Sequence, residues 1–158
     1  MGLPWNNGTN VNNHADTKQW LQFWSSKLIK NIKYNNTFQK KYTIQKSPFV
    51  VPTTDGKLLE EHFWLASNQN SEISIAHMVA PPDWNEPFQT PEFDEYTYII
   101  KGKKQFIIDD DIVILEAGQS IKIEKNTRVQ YSNPFTELCE YLALGLPAFS
   151  INSVNREN

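Results

Sequence analysis

Glu95-Tyr96-Thr97-Tyr98-Ile99-Ile100-Lys101-Gly102 is the stretch of sequence from which the fold is predicted. Its pattern has the period of two that is expected of a β-strand with one face toward a core. Tyr96 and Tyr98 then share one face, and Glu95 lies on the other. Gly102 is a turn signal that ends the strand. The basic residues around this glycine, Lys101, Lys103 and Lys104, are interpreted as a solvated turn.

The same period of two runs through the chain from Lys41 onward. Turn signals rich in Gly, Pro, Asn and Asp separate the segments, and no helical pattern interrupts them. Many short strands at close spacing predict an all-β antiparallel sandwich or barrel. The predicted strands are Tyr42–Gln45, Phe49–Val51, Lys57–Leu65, Glu72–Val79, Glu95–Lys101, Lys104–Asp109, Ile112–Leu115, Ser120–Glu124, Thr127–Ser132 and Leu138–Leu146.

Residues 1–36 follow a different pattern. Residues 1–13 are rich in asparagine and predict a flexible tail. Apolar residues then recur at spacings of three and four, which predicts a short amphipathic helix. We therefore divide the chain into a tail with a helix at residues 1–36 and one β domain at residues 37–158.

Composition excludes several classes of function. The net charge of −3 over 158 residues gives no basic surface for nucleic acid. No window is apolar enough to predict a membrane span, and residues 1–13 lack the apolar run of a secretory signal. Cys139 is the only cysteine, so no disulfide can form within the chain. We expect a cytoplasmic protein with no nucleic-acid or membrane partner.

The section from Pro81 to Leu146 resembles the cupin superfamily. In that family the first motif ends in a glutamate, six further residues and a glycine, as Glu95 to Gly102 do. The second motif begins with a glycine and closes with an asparagine fifteen residues later, which matches Gly118 and Asn133. The resemblance implies a single antiparallel jelly-roll β-barrel over residues 37–158, preceded here by the short helix.

The usual metal ligands of the family are missing. Aligned on Glu95, the two histidine positions of the first motif hold Gln89 and Pro91, and the histidine position of the second motif holds Val129. Proline and valine offer no ligand atom, and a catalytic transition metal needs about three good protein ligands. No cofactor is therefore predicted. The alternative is a divalent metal on a rearranged set of ligands, His77, Glu92 and Glu95.

Five residues are candidates for a site inside the barrel. Alternation places His77 on the face that carries Ile73, Ile75 and Val79, and this face is expected to point inward. An inward Glu95 on a neighbouring strand would have a raised pKa, which suits a general acid or base. Catalysis is accordingly assigned to Glu95 and His77. Substrate binding is assigned to Gln89, Glu92 and Tyr131.

Three functions remain open from the sequence. The first is an enzyme of the isomerase, epimerase or lyase type that transfers protons on a sugar or hydroxy acid without the metal triad. The second is a non-catalytic small-ligand-binding or sensor cupin, and the third is a metal-dependent cupin with rearranged ligands. A homodimer is also expected, because Trp64, Tyr96 and Tyr98 could form the apolar surface that small cupins bury between subunits.

Overall fold

Alternating apolar residues form ten strands in the part of the chain that the structure describes. The structure is a computed structural model and describes residues 41–157. The tail and helix predicted for residues 1–36 lie outside these residues, so the division of the chain at residue 36 stays a prediction. In chain order the elements are β1 Phe49–Val50, β2 Leu58–Phe63, α1 Leu65–Asn68, β3 Ser74–Ala80, β4 Trp84–Asn85, β5 Asp94–Lys101, β6 Lys103–Ile108, β7 Asp111–Glu116, β8 Ser120–Ile123, β9 Val129–Asn133 and β10 Cys139–Leu146.

The strands form two antiparallel sheets. One has six strands in the order β1-β2-β3-β10-β5-β8, and the other has four in the order β4-β9-β6-β7. Every pair of neighbouring strands is antiparallel, and most neighbours are distant in sequence. This connectivity confirms the predicted all-β jelly roll.

The core lies between the two sheets. Ile99, Tyr141 and Ala80 from the six-stranded sheet pack in one cluster with Phe106 and Val129 from the four-stranded sheet. Each of these residues is fully or almost fully buried. Since alternate residues of a strand point to opposite faces, the burial of these five fixes which side chains face the interior. Cys139 belongs to the same cluster and is completely buried.

Asn133, the last residue of the second motif, ties the ends of several elements together. Its side-chain nitrogen lies 2.8–3.2 Å from the carbonyl oxygens of Ala80, Pro81 and Glu137. The side chain is completely buried. An asparagine at this position therefore stabilises the fold by satisfying carbonyl groups that would otherwise be buried without a partner.

Three details differ from the prediction. Tyr42–Gln45 is not a strand, and the two-residue strand β4 was missed because prolines surround it. Helix α1 replaces the end of the predicted strand Lys57–Leu65. The side chains of Ser67 and Asn68 accept hydrogen bonds from the backbone N–H of Trp64 and favour this turn over a longer strand.

Gly102 should tolerate no side chain. Its φ is +74°, and an added Cβ would meet the carbonyl oxygen of Leu138. We expect Gly102→Ala to lower the free energy of unfolding by about 2 kcal/mol, measured by urea denaturation. The matched control is Gly118→Ala, where φ is +88° but nothing lies within 4 Å of the added Cβ. A loss as small as that of the control would contradict the close approach at Gly102.

Candidate active site in the interior cavity

A cavity opens between the two sheets at one end of the core. About 100 Å³ of it is open to the centre of a water-sized molecule, and the whole empty space, with open solvent at the mouth included, is about 690 Å³. Trp64 and Phe149 are partly buried and Arg156 is exposed, and these three mark the mouth, whereas Lys104 and Tyr141 are fully buried and mark the inner end. The walls are mainly aromatic and aliphatic, with few polar groups, which is the usual composition of a small-ligand site. The polar lining residues with charged or amide side chains are Lys57, Glu86, Gln89, Glu95, Lys104 and Arg156.

Glu95 enters the cavity from the start of β5, as predicted. It shares the inner face of this strand with Thr97, whose hydroxyl donates a hydrogen bond of 3.3 Å to Oε1 of Glu95. Burial raises the pKa of Glu95 above its usual range, although the positive charge of Lys104 opposes this shift. A carboxyl group with a raised pKa can exchange a proton with a bound molecule near neutral pH.

Tyr131 faces the cavity from β9 in the opposite sheet, as predicted. It is 3% exposed, and its ring packs edge-on against Phe106 with 5.8 Å between ring centroids. Its hydroxyl is buried and has no hydrogen-bond partner at ordinary distance within residues 41–157, and Gln89 and Glu95 are the nearest polar groups that influence its pKa through hydrogen bonding. Burial raises the pKa of the phenol well above 10, and the negative charge of Glu95 adds to the effect. The phenol therefore keeps its proton and is available as a donor to a ligand.

Lys104 is the largest departure from the sequence interpretation. It is 2% exposed, not solvated, because alternation in β6 places it on the inner face with Phe106. Its ammonium nitrogen lies 3.4 Å from the ring centroid of Tyr141 and 4.9 Å from that of Tyr131. No carboxylate of the described residues lies within ion-pair distance of it. Burial lowers the pKa of Lys104 to about 8, while Glu95 and Glu86 pull in the opposite direction.

A second set of charged residues, Lys57, Glu86 and Arg156, lines the cavity and reaches its mouth. Glu86 is almost buried and forms ion pairs with Lys57 and with Arg156, the latter at 3.3 Å. Nε of Arg156 also donates a hydrogen bond of 3.2 Å to Oε1 of Gln89. Gln89 is thus in the cavity as predicted, held by an arginine near the end of the described chain. These contacts satisfy Glu86 and hold Gln89 in a fixed orientation.

The prediction that His77 shares the interior with Glu95 is wrong. In β3 the inward residues are Ser74, Ala76 and Met78, and His77 lies on the outer face of the sheet. There its two ring nitrogens lie 2.7 Å from Glu60 and 2.9 Å from Glu140. Ser74 and Ala76 are small, and their inward side chains leave room for the cavity.

Glu92 also lies outside the cavity. It is exposed, and its carboxylate accepts a hydrogen bond of 3.2 Å from Asn155. Asp94 points away from Glu95 and forms an ion pair of 3.0 Å with Lys122. The three neighbouring acidic residues Glu92, Asp94 and Glu95 therefore do not converge on one site. Of the five predicted site residues, Glu95, Gln89 and Tyr131 line the cavity, and His77 and Glu92 do not.

The residues in the position of the family's metal site do not fit a transition metal ion. Gln89 and Val129 are neighbours in a β-bridge, so the expected positions do come together. Glu95 is nevertheless the single ionisable ligand there, and the amide oxygen of Gln89 is engaged by Arg156. The alternative set His77, Glu92 and Glu95 is split between the cavity and the surface. Among the described residues, no three His, Cys, Asp or Glu side chains gather as a metal site would require.

Sequence reasoning missed four charged residues of the cavity, namely Lys57, Glu86, Lys104 and Arg156. A signal existed for Lys104, since it alternates with the apolar residues Phe106 and Ile108 along β6. Arg156 gave no signal, because only the folded chain brings the end of the sequence to the bridge with Gln89.

Replacement of His77 tests its position on the outer face. Burial lowers the pKa of His77, but the hydrogen bonds to Glu60 and Glu140 outweigh this and raise it. Protonated His77 therefore stabilises the fold below its unfolded pKa, about 6.5, and this contribution is lost as pH rises through the folded value. We expect His77→Gln to lower the melting temperature near about pH 5.5 and not near about pH 8.5. Loss of ligand binding in the cavity would contradict the outward position.

Comparisons with known proteins bear on the fold more than on the chemistry. The sequence model of the cupin domain matches residues 76–145. A variant of Streptomyces Pac13 with uridine has a TM-score of 0.60 and 15% identity, covering 75% of this chain and 92% of that one. Pac13 is described as a nucleoside dehydratase. The polyketide cyclase RemF of Streptomyces resistomycificus has a TM-score of 0.55 and 11% identity, covering 67% of this chain and 78% of its own.

One curated relative is more similar in sequence. It is the endoribonuclease YbeY of Myxococcus xanthus, with 34% identity over 100 residues, which is 63% of this chain. The matched part is 34% of that relative, so this chain spans about a third of the length of the protein it matches. In the part of this chain that the structure describes, no helix is long and apolar enough to cross a membrane.

Proposed function

The chain belongs to the cupin superfamily, and from this premise we propose that it is an enzyme that transfers a proton on a small organic molecule bound in the interior cavity. The observation that carries the proposal is the juxtaposition of Glu95, a partly buried carboxyl group, with Tyr131, a buried hydroxyl that has no hydrogen-bond partner at ordinary distance among the described residues. Each residue influences the pKa of the other. Acid–base catalysis commonly uses two titratable groups whose surroundings move their pKa values apart, so that one serves as the base and the other as the proton or hydrogen-bond donor.

Glu95 is the base in this mechanism. Its ionised carboxylate takes a proton from a carbon atom next to a carbonyl or carboxylate group of the substrate. The C–H electron pair moves into a new C=C bond, and the carbonyl oxygen gains negative charge. Tyr131 donates a hydrogen bond to that oxygen, in the manner of an oxyanion hole. Tyr131 thus takes the role of partner that the sequence interpretation gave to His77.

Two outcomes follow from the same intermediate. Return of the proton from Glu95 to another atom on the same face gives an isomer, whereas an epimer forms when solvent delivers a proton to the opposite face. In elimination the carbonyl re-forms, the electron pair makes a C=C bond to the adjacent carbon, and the group on that carbon departs with the proton that Glu95 took up. Both outcomes need one base and one donor, which the cavity supplies without a metal-bound step.

The structural neighbours are consistent with this class of chemistry. A dehydration, the reaction in the description of Pac13, removes a proton and a hydroxyl group from neighbouring carbon atoms. RemF, a cyclase, also acts on a small organic molecule. Their identities of 15% and 11% relate these proteins to this chain by fold alone. They support the proposal because the same fold serves such reactions elsewhere.

Cleavage of RNA is not part of the proposal. The relative named endoribonuclease is matched over only a third of its length. The chain has a net charge of −3, and its candidate site is a cavity of small-molecule size. An RNA-binding surface needs exposed basic residues that neutralise phosphates.

Proton exchange with solvent tests the proposal before the substrate is known. Small keto acids, hydroxy acids and sugars are incubated with the protein in heavy water, and proton NMR follows loss of the signal next to the carbonyl or carboxylate group. We expect exchange in at least one compound, because reversible proton removal precedes both isomerisation and elimination. Compounds that bind in the cavity and never exchange would contradict catalysis and favour the binding or sensor cupin. Location in the cytoplasm and assembly as a homodimer remain predictions.

A further inference from the structure

We infer that the ligand of the cavity is a carboxylic acid whose carboxylate binds Lys104 and Tyr131 at the inner end, with an apolar body toward the mouth. This rests on the proposed function in one respect, since it names the substrate class of the same site. It goes further because the sequence left open a sugar or a hydroxy acid. The residue that indicates the class of ligand is Lys104, which the sequence did not suggest as a site residue.

Two donors at the inner end lack acceptors. The ammonium group of Lys104 lies against the aromatic rings of Tyr141 and Tyr131 with no carboxylate of residues 41–157 at ion-pair distance. The hydroxyl of Tyr131 is buried and has no hydrogen-bond partner at ordinary distance among the same residues, although Gln89 and Glu95 lie close enough to influence its pKa. Buried charges and buried donors are strongly disfavoured without partners. A ligand oxyanion between the two groups satisfies both.

The charge of the cavity also favours an anion. Lys57, Lys104 and Arg156 supply three positive charges, against two carboxylates, Glu86 and Glu95. Glu86 is already paired with Lys57 and Arg156. Lys104 and Glu95 are left facing the cavity without a mutual ion pair, and protonation of Glu95 increases the excess of positive charge. A ligand with one negative charge restores the balance.

The shape of the inner end favours carboxylate over phosphate. The rings of Trp84, Phe106, Tyr131 and Tyr141 all lie within 6 Å of the ammonium nitrogen of Lys104 and limit the space around it. A phosphate group has three acceptor oxygens and nearly two charges, and it needs more donors than one lysine and one tyrosine provide. A planar carboxylate with two oxygens matches two donors.

The mouth of the cavity fits an apolar or aromatic body. Trp64 and Phe93 both pack edge-on against Phe149, with ring centroids 4.8 Å and 5.8 Å apart. Of these rings Trp64 and Phe149 are partly exposed and Phe93 is buried, whereas Lys104 lies at the fully buried end, so the ligand enters with its carboxylate first. Glu95 then faces the atoms next to the carboxylate, where proton removal is easiest because Lys104 stabilises the negative charge that develops.

The experiment compares acids with neutral molecules of the same shape. Dissociation constants of phenylacetate, its neutral amide phenylacetamide, pyruvate and inorganic phosphate are measured by ligand-observed NMR near neutral pH. The proteins are the wild type, Lys104→Met and Lys103→Met. Methionine keeps the length of lysine without its charge, and Lys103 is the matched control because it is the adjacent lysine on the exposed face of β6.

We expect the wild type and Lys103→Met to bind at least one of the two acids about tenfold to a hundredfold more tightly than phenylacetamide, since hydrogen bonds to charged groups have this size. Lys104→Met should bind acid and amide alike. A second measurement needs no variant: affinity of the wild type for the acid should fall above about pH 8, where Lys104 loses its proton, and affinity for the amide should not.

Several results would overturn the inference. They are equal affinity of the wild type for acid and amide, no binding of either acid, unchanged acid binding by Lys104→Met, or tighter binding of phosphate than of both acids. Failure of the proposed function is a different result. If acids bind through Lys104 but exchange no proton, the catalytic role is wrong and the ligand class holds. If only neutral compounds exchange protons, the catalytic role holds and the ligand class is wrong.

Discussion

Replacement of Glu95 by glutamine should slow proton exchange in the bound molecule by about 10²- to 10⁴-fold, the usual contribution of a general base. Glutamine has nearly the shape of glutamate and can still accept the hydrogen bond from Thr97, so the cavity should keep its form. What it lacks is the basic oxygen that accepts a proton. Exchange in heavy water, followed by proton NMR on the wild type and the variant side by side, measures the effect.

Ligand binding distinguishes loss of catalysis from loss of the site. Glu95→Gln should bind an acid as tightly as the wild type or more tightly, because the variant removes a negative charge from the cavity. Glu92→Gln is the matched control. Glu92 precedes Glu95 by three residues in the sequence, and its carboxylate lies on the surface, where it accepts a hydrogen bond from Asn155. This control should exchange protons at the rate of the wild type. A Glu95→Gln rate within a factor of about three of the wild type would contradict the role of Glu95 as the base.

The rate should also depend on pH in a direction that the pKa shifts fix. Glu95 accepts a proton only when ionised, and burial raises its pKa. Exchange should therefore rise with pH through a value above the usual glutamate pKa of about 4.3. The rise should be absent in Glu95→Gln, which has no carboxyl group to titrate at that position.

The fold could be predicted from the sequence because its strands alternate strongly and its turns carry glycine, proline and asparagine. Glu95 was placed correctly for the same reason: in β5 Thr97 and Ile99 occupy one face and the tyrosines the other. The asparagine at position 133 was recognised from its spacing, and its buried hydrogen bonds to three carbonyl groups give that spacing a physical basis.

His77 could not be placed because both faces of β3 are apolar. Isoleucine and valine on one face suggested the interior, while alanine, serine and methionine on the other suggested the surface. Around a cavity the rule is inverted, since small side chains must face inward to leave space for a ligand. Alternation alone gives two faces, and it does not say which of them surrounds an empty volume.

The charged residues of the cavity could not be predicted for a different reason. A lysine beside a glycine and two other lysines is normally solvated, because burial of a charge is unfavourable. Lys104 is buried only since aromatic rings from three other strands surround its ammonium group. Arg156 reaches Glu86 across 70 positions of the sequence. Such contacts exist only after the two sheets have packed together.

The second large effect concerns stability and has the opposite sign from most core substitutions. Lys104→Met should raise the free energy of unfolding near neutral pH by up to about 3 kcal/mol. The folded pKa of Lys104, about 8, lies below its ordinary value of 10.5 because the folded chain buries the charged form. Below pH 8 the lysine is charged in both states, and the folded state bears the full cost. Methionine fills the same space without a charge.

The pH dependence of this gain identifies its cause. As pH rises from about 8 to about 10.5, the folded lysine loses its proton before the unfolded one does, so the advantage of methionine should shrink and then vanish. Removal of Lys104 also removes the attraction that opposes the raised pKa of Glu95, which then takes up a proton in the variant. Urea denaturation at several pH values measures the difference, and Lys103→Met, an exposed neighbour, should show no such trend.

A variant less stable than the wild type at neutral pH would mean that the contacts of the ammonium group with the aromatic rings outweigh the cost of burial, and that Lys104 is a structural residue. A more stable variant that no longer binds acids would show that burial of the charge costs stability and that Lys104 serves ligand binding. A buried lysine that weakens the fold and strengthens binding is a trade of stability for function. Since methionine would fill this position with less strain on the folded state, the presence of lysine is itself an argument that the cavity holds an anion.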